Sequence, residues 1–141
     1  VAKPVELFKK TIGDRGTDSE ILRNHKALMF AKEKHLLAFP VQVMELANKT
    51  QDAKNVTEYG QFTFQGAYVY RLDLTNGFDL QAKITHLSGA ELRKAGNGWY
   101  DSKNNVERIL YIGDTLYTLS KGKIQANDMA TWQVKGQLVL P

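Results

Sequence analysis

The 141 residues carry a net charge of +4 and 43% apolar side chains, one domain's worth of chain, able to bury about two-thirds of the surface it exposes when unfolded. There is no Cys, which excludes a disulfide framework, a thiolate metal site and a Cys nucleophile. No apolar run approaches the roughly 18 residues of a spanning helix, and the basic residues are scattered, without the aromatic interleaving that nucleic acid would call for.

Taken in order, Val5-Glu6-Leu7-Phe8 after Pro4 reads as a first strand that ends by Gly13. In the polar loop Gly13 to Asn24, Thr17 and Glu20 have capping-box spacing ahead of Ile21 and Leu22 and predict a short helical turn. Lys26 to Phe30 and Leu36 to Val43, on either side of Ala31-Lys32-Glu33-Lys34-His35, form a hairpin; Pro40 inside it implies a bulge or a locally unpaired position. A polar loop from Leu46 to Gly60 leads into a strand from Phe62 to Leu74. There Phe62, Phe64, Tyr68, Tyr70, Leu72 and Leu74 share one phase and Ala67 and Val69 the other, so both faces are expected to be covered. Asp73-Leu74-Thr75-Asn76-Gly77 is a tight reversal: the Asp side chain caps turn amides and Asn-Gly accepts positive φ. Phe78, Leu80, Ala82 and Ile84 then resume the period of two.

Ser88 to Asn105, with Gly89, Gly96 and Gly98 around Trp99 and Tyr100, is a loop by composition. Val106 to Ile112, Thr115 to Leu119 and Lys123 to Ala126 form a meander. The end of the chain then repeats the central theme. Asp73-Leu74 aligns with Asp128-Met129, and Phe78, Leu80, Ala82 and Ile84 align with Trp132, Val134, Gly136 and Leu138 on one residue fewer in the turn. The Ala27–Phe30 and Leu36–Phe39 pair likewise parallels Arg108–Tyr111 and Leu116–Leu119. Four strands per repeat with a fixed turn is the signature of propeller blades. The expected fold is therefore all-β, with antiparallel four-stranded meanders. Within a single β domain over 1–141, one blade-like unit spans 5–74, a second spans 78–126, and an extra closing strand covers 132–140. Since rings take about four to eight blades, two alone are expected to self-associate or repack.

The runs HKALMFAKEKHLLAFPVQV, FTFQGAYVYRLDL, GDRGTDSE and ERILYIGDTLYTLSKGKIQAND resemble the C-terminal part of the bacterial secreted "beta propeller domain" proteins, distant relatives of the WD-repeat proteins, over nearly the whole chain. The resemblance implies an extracellular or cell-surface protein, with membrane contact only through a segment upstream of Val1. It implies no established activity and carries over no catalytic residue.

Successive connections in such a sheet alternate between its two ends, which places Gly13–Asn24, Leu46–Gly60 and Ser88–Asn105 together at one end. Loops on a rigid scaffold are where binding resides, so this end is the expected recognition face. Its candidate binding residues are Asp14, Arg15 and Asp18 from the first loop and Arg93, Lys94, Trp99 and Tyr100 from the third. The two aromatics can stack on a sugar or join the basic residues in gripping an anionic polymer, or they can fold the loop back over the sheet. Asp14, Asp18 and Glu20 offer oxygens to calcium, but the spacing is not that of an EF-hand and capping accounts for Glu20, so no metal or cofactor is expected. His25 and His86 have structural places at strand ends and His35 a solvated turn. Nucleophile elbow, phosphate loop and HExxH helix are all missing from the sequence. The expectation is a non-catalytic binding or scaffolding part that recognises a protein, a peptide or an anionic wall polymer, the last favoured by the net charge. A fragment of a propeller hydrolase and a purely structural ring-closing unit are the alternatives.

Overall fold

The computed structural model describes residues 2–47, 58–95 and 101–141. Its strands are β1 (Met29–Ala31), β2 (Leu36–Glu45), β3 (Gln61–Asp73), β4 (Gly77–Ile84), β5 (Arg108–Ile112), β6 (Thr115–Leu119), β7 (Lys123–Asp128) and β8 (Val134–Val139). They form two antiparallel four-stranded sheets in the orders β1-β2-β3-β4 and β5-β6-β7-β8, the all-β pair of meanders expected from the repeat. One short helix, α1 (Gly89–Ala95), lies between them in the chain.

The turn at Asp73 folds as its residues dictate. Asp73 Oδ1 accepts the N–H groups of Thr75 at 2.8 Å and Asn76 at 2.5 Å, and Gly77 takes φ 70°. The turn at Asp128 repeats it: Asp128 Oδ1 accepts from Ala130 at 2.8 Å and Thr131 at 3.0 Å, and four residues after the Asp, Trp132 takes φ 62°. Trp132 therefore corresponds to Gly77 and not to Phe78, although the second ladder resumes one residue later, with Asn127 opposite Val134 where Leu72 faces Phe78. An indole at positive φ carries backbone strain, which its packing against the core offsets.

The sheets divide one strand later than the expected units. Because the Asp73 turn pairs Leu72 with Phe78 and Asp73 with Gly77, Phe78 and its strand complete the first sheet and do not begin the second. Residues 134–139 are likewise the fourth strand of the second sheet, paired with β7, and not an additional closing strand. The repeat keeps its four-strand period, and its boundary falls after β4.

At the other extreme, Val5–Phe8 is not a strand. It runs beside the tight turn of the first sheet, where Phe8 sits so close to Gly77 that any Cβ there would meet its ring. The inner edge of β2 is covered in two pieces, by β1 opposite Leu36–Ala38 and by Asp18 bridging Gln42. Pro40, paired with Ala67 on the β3 side, falls in the gap between these pieces, where its missing N–H leaves no bond unmade. The strand irregularity lies further on, between Val43 and Met44. The helical turn after Gly16 exists at Glu20–Leu22, but Ser19 caps it, while Thr17 Oγ1 is turned to Met44, accepting from its N–H at 3.0 Å and donating to its carbonyl at 3.1 Å.

Burial follows the two phases of β3. Ala67 and Val69 join Met29, Ala31, Leu36, Ala38 and Ile84 against Val106, just ahead of β5, and Ile109 and Leu116 of the second sheet, so one apolar layer holds the sheets face to face. Tyr68 and Tyr70 lie on the opposite face with Phe39, Phe64, Leu72 and Phe78, an aromatic layer whose ring centroids are 5.2–6.2 Å apart. Gly66 is obligatory between them, because a Cβ there would run into the Ile84 carbonyl oxygen of β4.

Polar groups fix the two sheets relative to each other. The Gln65 side chain makes two hydrogen bonds with one residue's backbone, donating from Nε2 to the Val106 carbonyl at 3.0 Å and accepting the Val106 N–H on Oε1 at 2.9 Å. His86, in the connection after β4, places Nδ1 2.9 Å from Ser120 Oγ and Nε2 2.8 Å from Thr118 Oγ1, all three side chains being buried. At the tight-turn end Lys34 pairs with Asp114 at 2.8 Å.

Candidate binding cleft

Strand directions place the β2–β3 and β4–β5 connections at one end, together with the approach to β1, while the turns at 32–35, 74–76, 113–114 and 129–133 lie at the other. The long-loop end is thus a property of the topology. Its first loop is tied down: the N–H of Asp14 donates to the Met44 carbonyl at 2.7 Å, Asp14 Oδ2 accepts the Leu46 N–H at 2.8 Å, and the Gly60 N–H donates to the Arg15 carbonyl at 2.8 Å. The third is tied as well. Ser88 and Glu91 form a capping box for α1, with Glu91 Oε2 accepting the Ser88 N–H at 2.9 Å and Ser88 Oγ accepting the Glu91 N–H at 3.2 Å. Glu91 Oε1 also accepts from Ser102 Oγ at 3.0 Å and Asn104 Nδ2 at 2.8 Å. The Ser88 amide, with these further donors, holds the Glu91 carboxyl down at about 2.

Between the sheets at this end is a cleft of about 160 Å³, lined by Asp18, Glu20 and Arg23 from the first loop, Gln42 and Gln65 from the first sheet, and Asp101 and Glu107 leading into the second. Arg23 grips Asp18 with both nitrogens, at 3.1 and 2.7 Å, and approaches Glu20 at 3.6 Å. That guanidinium holds the Asp18 carboxyl below its usual range. Glu107 reaches Lys121 at 3.4 Å, and Asp101 forms no ion pair among the described residues.

Gln42 and Gln65 are opposite each other across β2 and β3. Gln65 is fully employed on Val106. Gln42 is 8% exposed, and its buried Nε2 has no hydrogen-bond partner among the described residues. A buried amide donor left unmatched is rare and costly, so it marks where an acceptor belongs.

Of the candidate residues named from sequence, Asp18 lines the cleft. Asp14 serves the loop's attachment to β2, and Arg15 lies 4.4 Å above the Tyr59 ring. Arg93 and Lys94 are exposed on the last turn of α1 and do not line the cleft. Trp99 and Tyr100 fall outside the described residues. Asp14, Asp18 and Glu20 do not converge: Asp14 is committed to Leu46 and Asp18 to Arg23, and no group of three His, Asp or Glu among the described residues is arranged to hold a metal. The sequence reading passed over Arg23, Gln42, Gln65, Asp101 and Glu107. The available signal was a pair of glutamines in strands otherwise apolar enough to be core.

The Ser120–His86 contact is not a nucleophile and its base. Ser120 Oγ is occupied in its own turn, accepting the Lys123 N–H at 3.0 Å and donating to the Lys123 carbonyl at 3.2 Å, and the other ring nitrogen of His86 is committed to Thr118. Burial, with Lys123 nearby, pushes the imidazole down to about 4, so it is neutral and structural.

Against known proteins, the family model described as "Beta propeller domain" matches residues 1–132. No curated protein and no solved structure matches the chain.

Proposed function

Because the chain belongs to the beta propeller domain family, we propose that it is a non-catalytic binding or scaffolding part of a propeller protein, with the long-loop end as its recognition face. The observation that carries this reading is the Gln42 amide, buried and unmatched in a cleft at that end, where two loops and both sheets meet. Rigid support favours it: the first and third loops are stitched by named hydrogen bonds, so a ligand would meet a preorganised surface. A position at the cell surface or outside the cell suits the same reading, on the family resemblance of the sequence.

The test is saturable binding of purified anionic wall polymer and of a peptide panel, with substitutions at the two ends compared. Arg15→Ala, Glu20→Gln and Arg93→Ala at the long-loop end are expected to weaken binding by about tenfold together, and Lys32→Ala with Glu33→Ala at the tight-turn end to leave it unchanged. The reverse pattern rejects this choice of face.

A further inference from the structure

We propose that the inter-sheet cleft binds an extended basic peptide, a peptide carbonyl of which reaches Gln42 Nε2 while the cationic head of the adjoining lysine or arginine side chain meets Asp101 at the mouth. The proposal rests on the long-loop end being the recognition face and gives it a ligand class.

Charge selects the cation. The lining gathers four carboxylates, Asp18, Glu20, Asp101 and Glu107, against one guanidinium, Arg23, on a chain whose net charge is +4. The local field therefore opposes the global one, and an anionic polymer drawn to the molecule as a whole would be repelled at this point. Arg23 is already committed to Asp18 and Glu20, while Asp101 is exposed and forms no ion pair among the described residues, leaving a carboxylate at the mouth for an incoming cation.

Depth selects a peptide. Gln42 Nε2 donates and so needs an oxygen acceptor, which a simple amine lacks and a peptide carbonyl supplies at the base of the side chain. The volume of about 160 Å³ corresponds to roughly five waters, the scale of one peptide residue rather than of a folded partner. Gln65 and Val106 make the inner wall rigid, since each satisfies the other's polar groups.

The experiment is a two-dimensional ¹⁵N NMR titration of the whole chain with acetyl-Gly-Lys-Gly-amide, its arginine counterpart, a norleucine counterpart and polyglycerol phosphate. The lysine and arginine peptides are expected to shift the Gln42 side-chain amide saturably and the norleucine peptide to leave it in place. Asp101→Asn, an exposed change that spares the fold, is expected to weaken the basic peptides about tenfold, and Gln42→Leu to do the same without altering the remaining spectrum. Equal shifts from the norleucine peptide, or none from any peptide, overturn the proposal. Shifts from polyglycerol phosphate at the long-loop end with all peptides silent overturn it while sparing the recognition face. Shifts confined to the tight-turn end overturn both.

Discussion

His86 shows what a single buried side chain contributes to the junction between sheets. Its neutral imidazole bridges Ser120 and Thr118, and burial holds its pKa at about 4 against an ordinary 6.5. The unfolded chain therefore binds a proton that the folded chain refuses between these two values. The stability His86 protects is complete above pH 6.5 and is lost progressively as the pH falls toward 4, by roughly 1–3 kcal/mol. Urea midpoints at pH 7.5 and 4.5 should differ more for the natural chain than for His86→Asn, which removes the titration; equal differences would dismiss the role. At the same scale, Gln42 and Gln65 carry one side chain type in neighbouring places with opposite fates. Nothing in the sequence says which glutamine finds Val106, since that partner is 41 residues away from Gln65 along the chain.

Elements differ in how plainly the sequence announces them. The Asp73 turn was legible because its signal is local: an Asp three residues before Asn-Gly caps amides within its own reach. Capping boxes were misread in both directions. Thr17 and Glu20 have the spacing, yet Thr17 finds the Met44 backbone instead, a tertiary partner outranking a local one. Ser88 and Glu91 have the same spacing and do cap a helix, hidden in a stretch whose glycines read as loop. Val5–Phe8 has strand composition and lies beside Gly77 at the edge strand β4, yet it packs there through Phe8 and makes no ladder with it, and β propensity counts only when the backbone pairs. The cleft was legible only as an end of the molecule, through the alternation of connections; its lining is assembled from four separate stretches. Glu91 joins both halves of the third connection, so Glu91→Ala should raise amide exchange in α1 and at Asn104 by tenfold or more, with little change in β2 and β3. Uniform acceleration across the sheets would show instead that the helix is part of the global unit.

At the scale of the whole molecule, the two sheets share one face-to-face interface, and nothing among the described residues covers the far side of the second sheet. Leu110, Ile112 and Leu138 are 40%, 67% and 59% exposed along it. The first sheet is better served, since its far side carries the aromatic layer and is approached by Ile12 and Phe8. Contiguous exposed apolar surface of this kind drives association. Sedimentation of the 141-residue chain should show reversible self-association at tens of micromolar, and Leu110→Lys with Leu138→Lys should return it to monomer. A natural chain that stays monomeric at that concentration would refute the expectation.

The placement of the two kinds of inter-sheet tie has a mechanical consequence. Those at the long-loop end, Gln65 on Val106 and His86 on its two hydroxyls, are buried and indifferent to salt, whereas Lys34 and Asp114 at the opposite end meet in solvent, where added salt weakens them. The pair of sheets behaves like a book bound along one margin and closed by a light clasp along the other: under salt or heat it parts first at the clasp, and the spine, with the cleft set into it, is the last part to lose its shape.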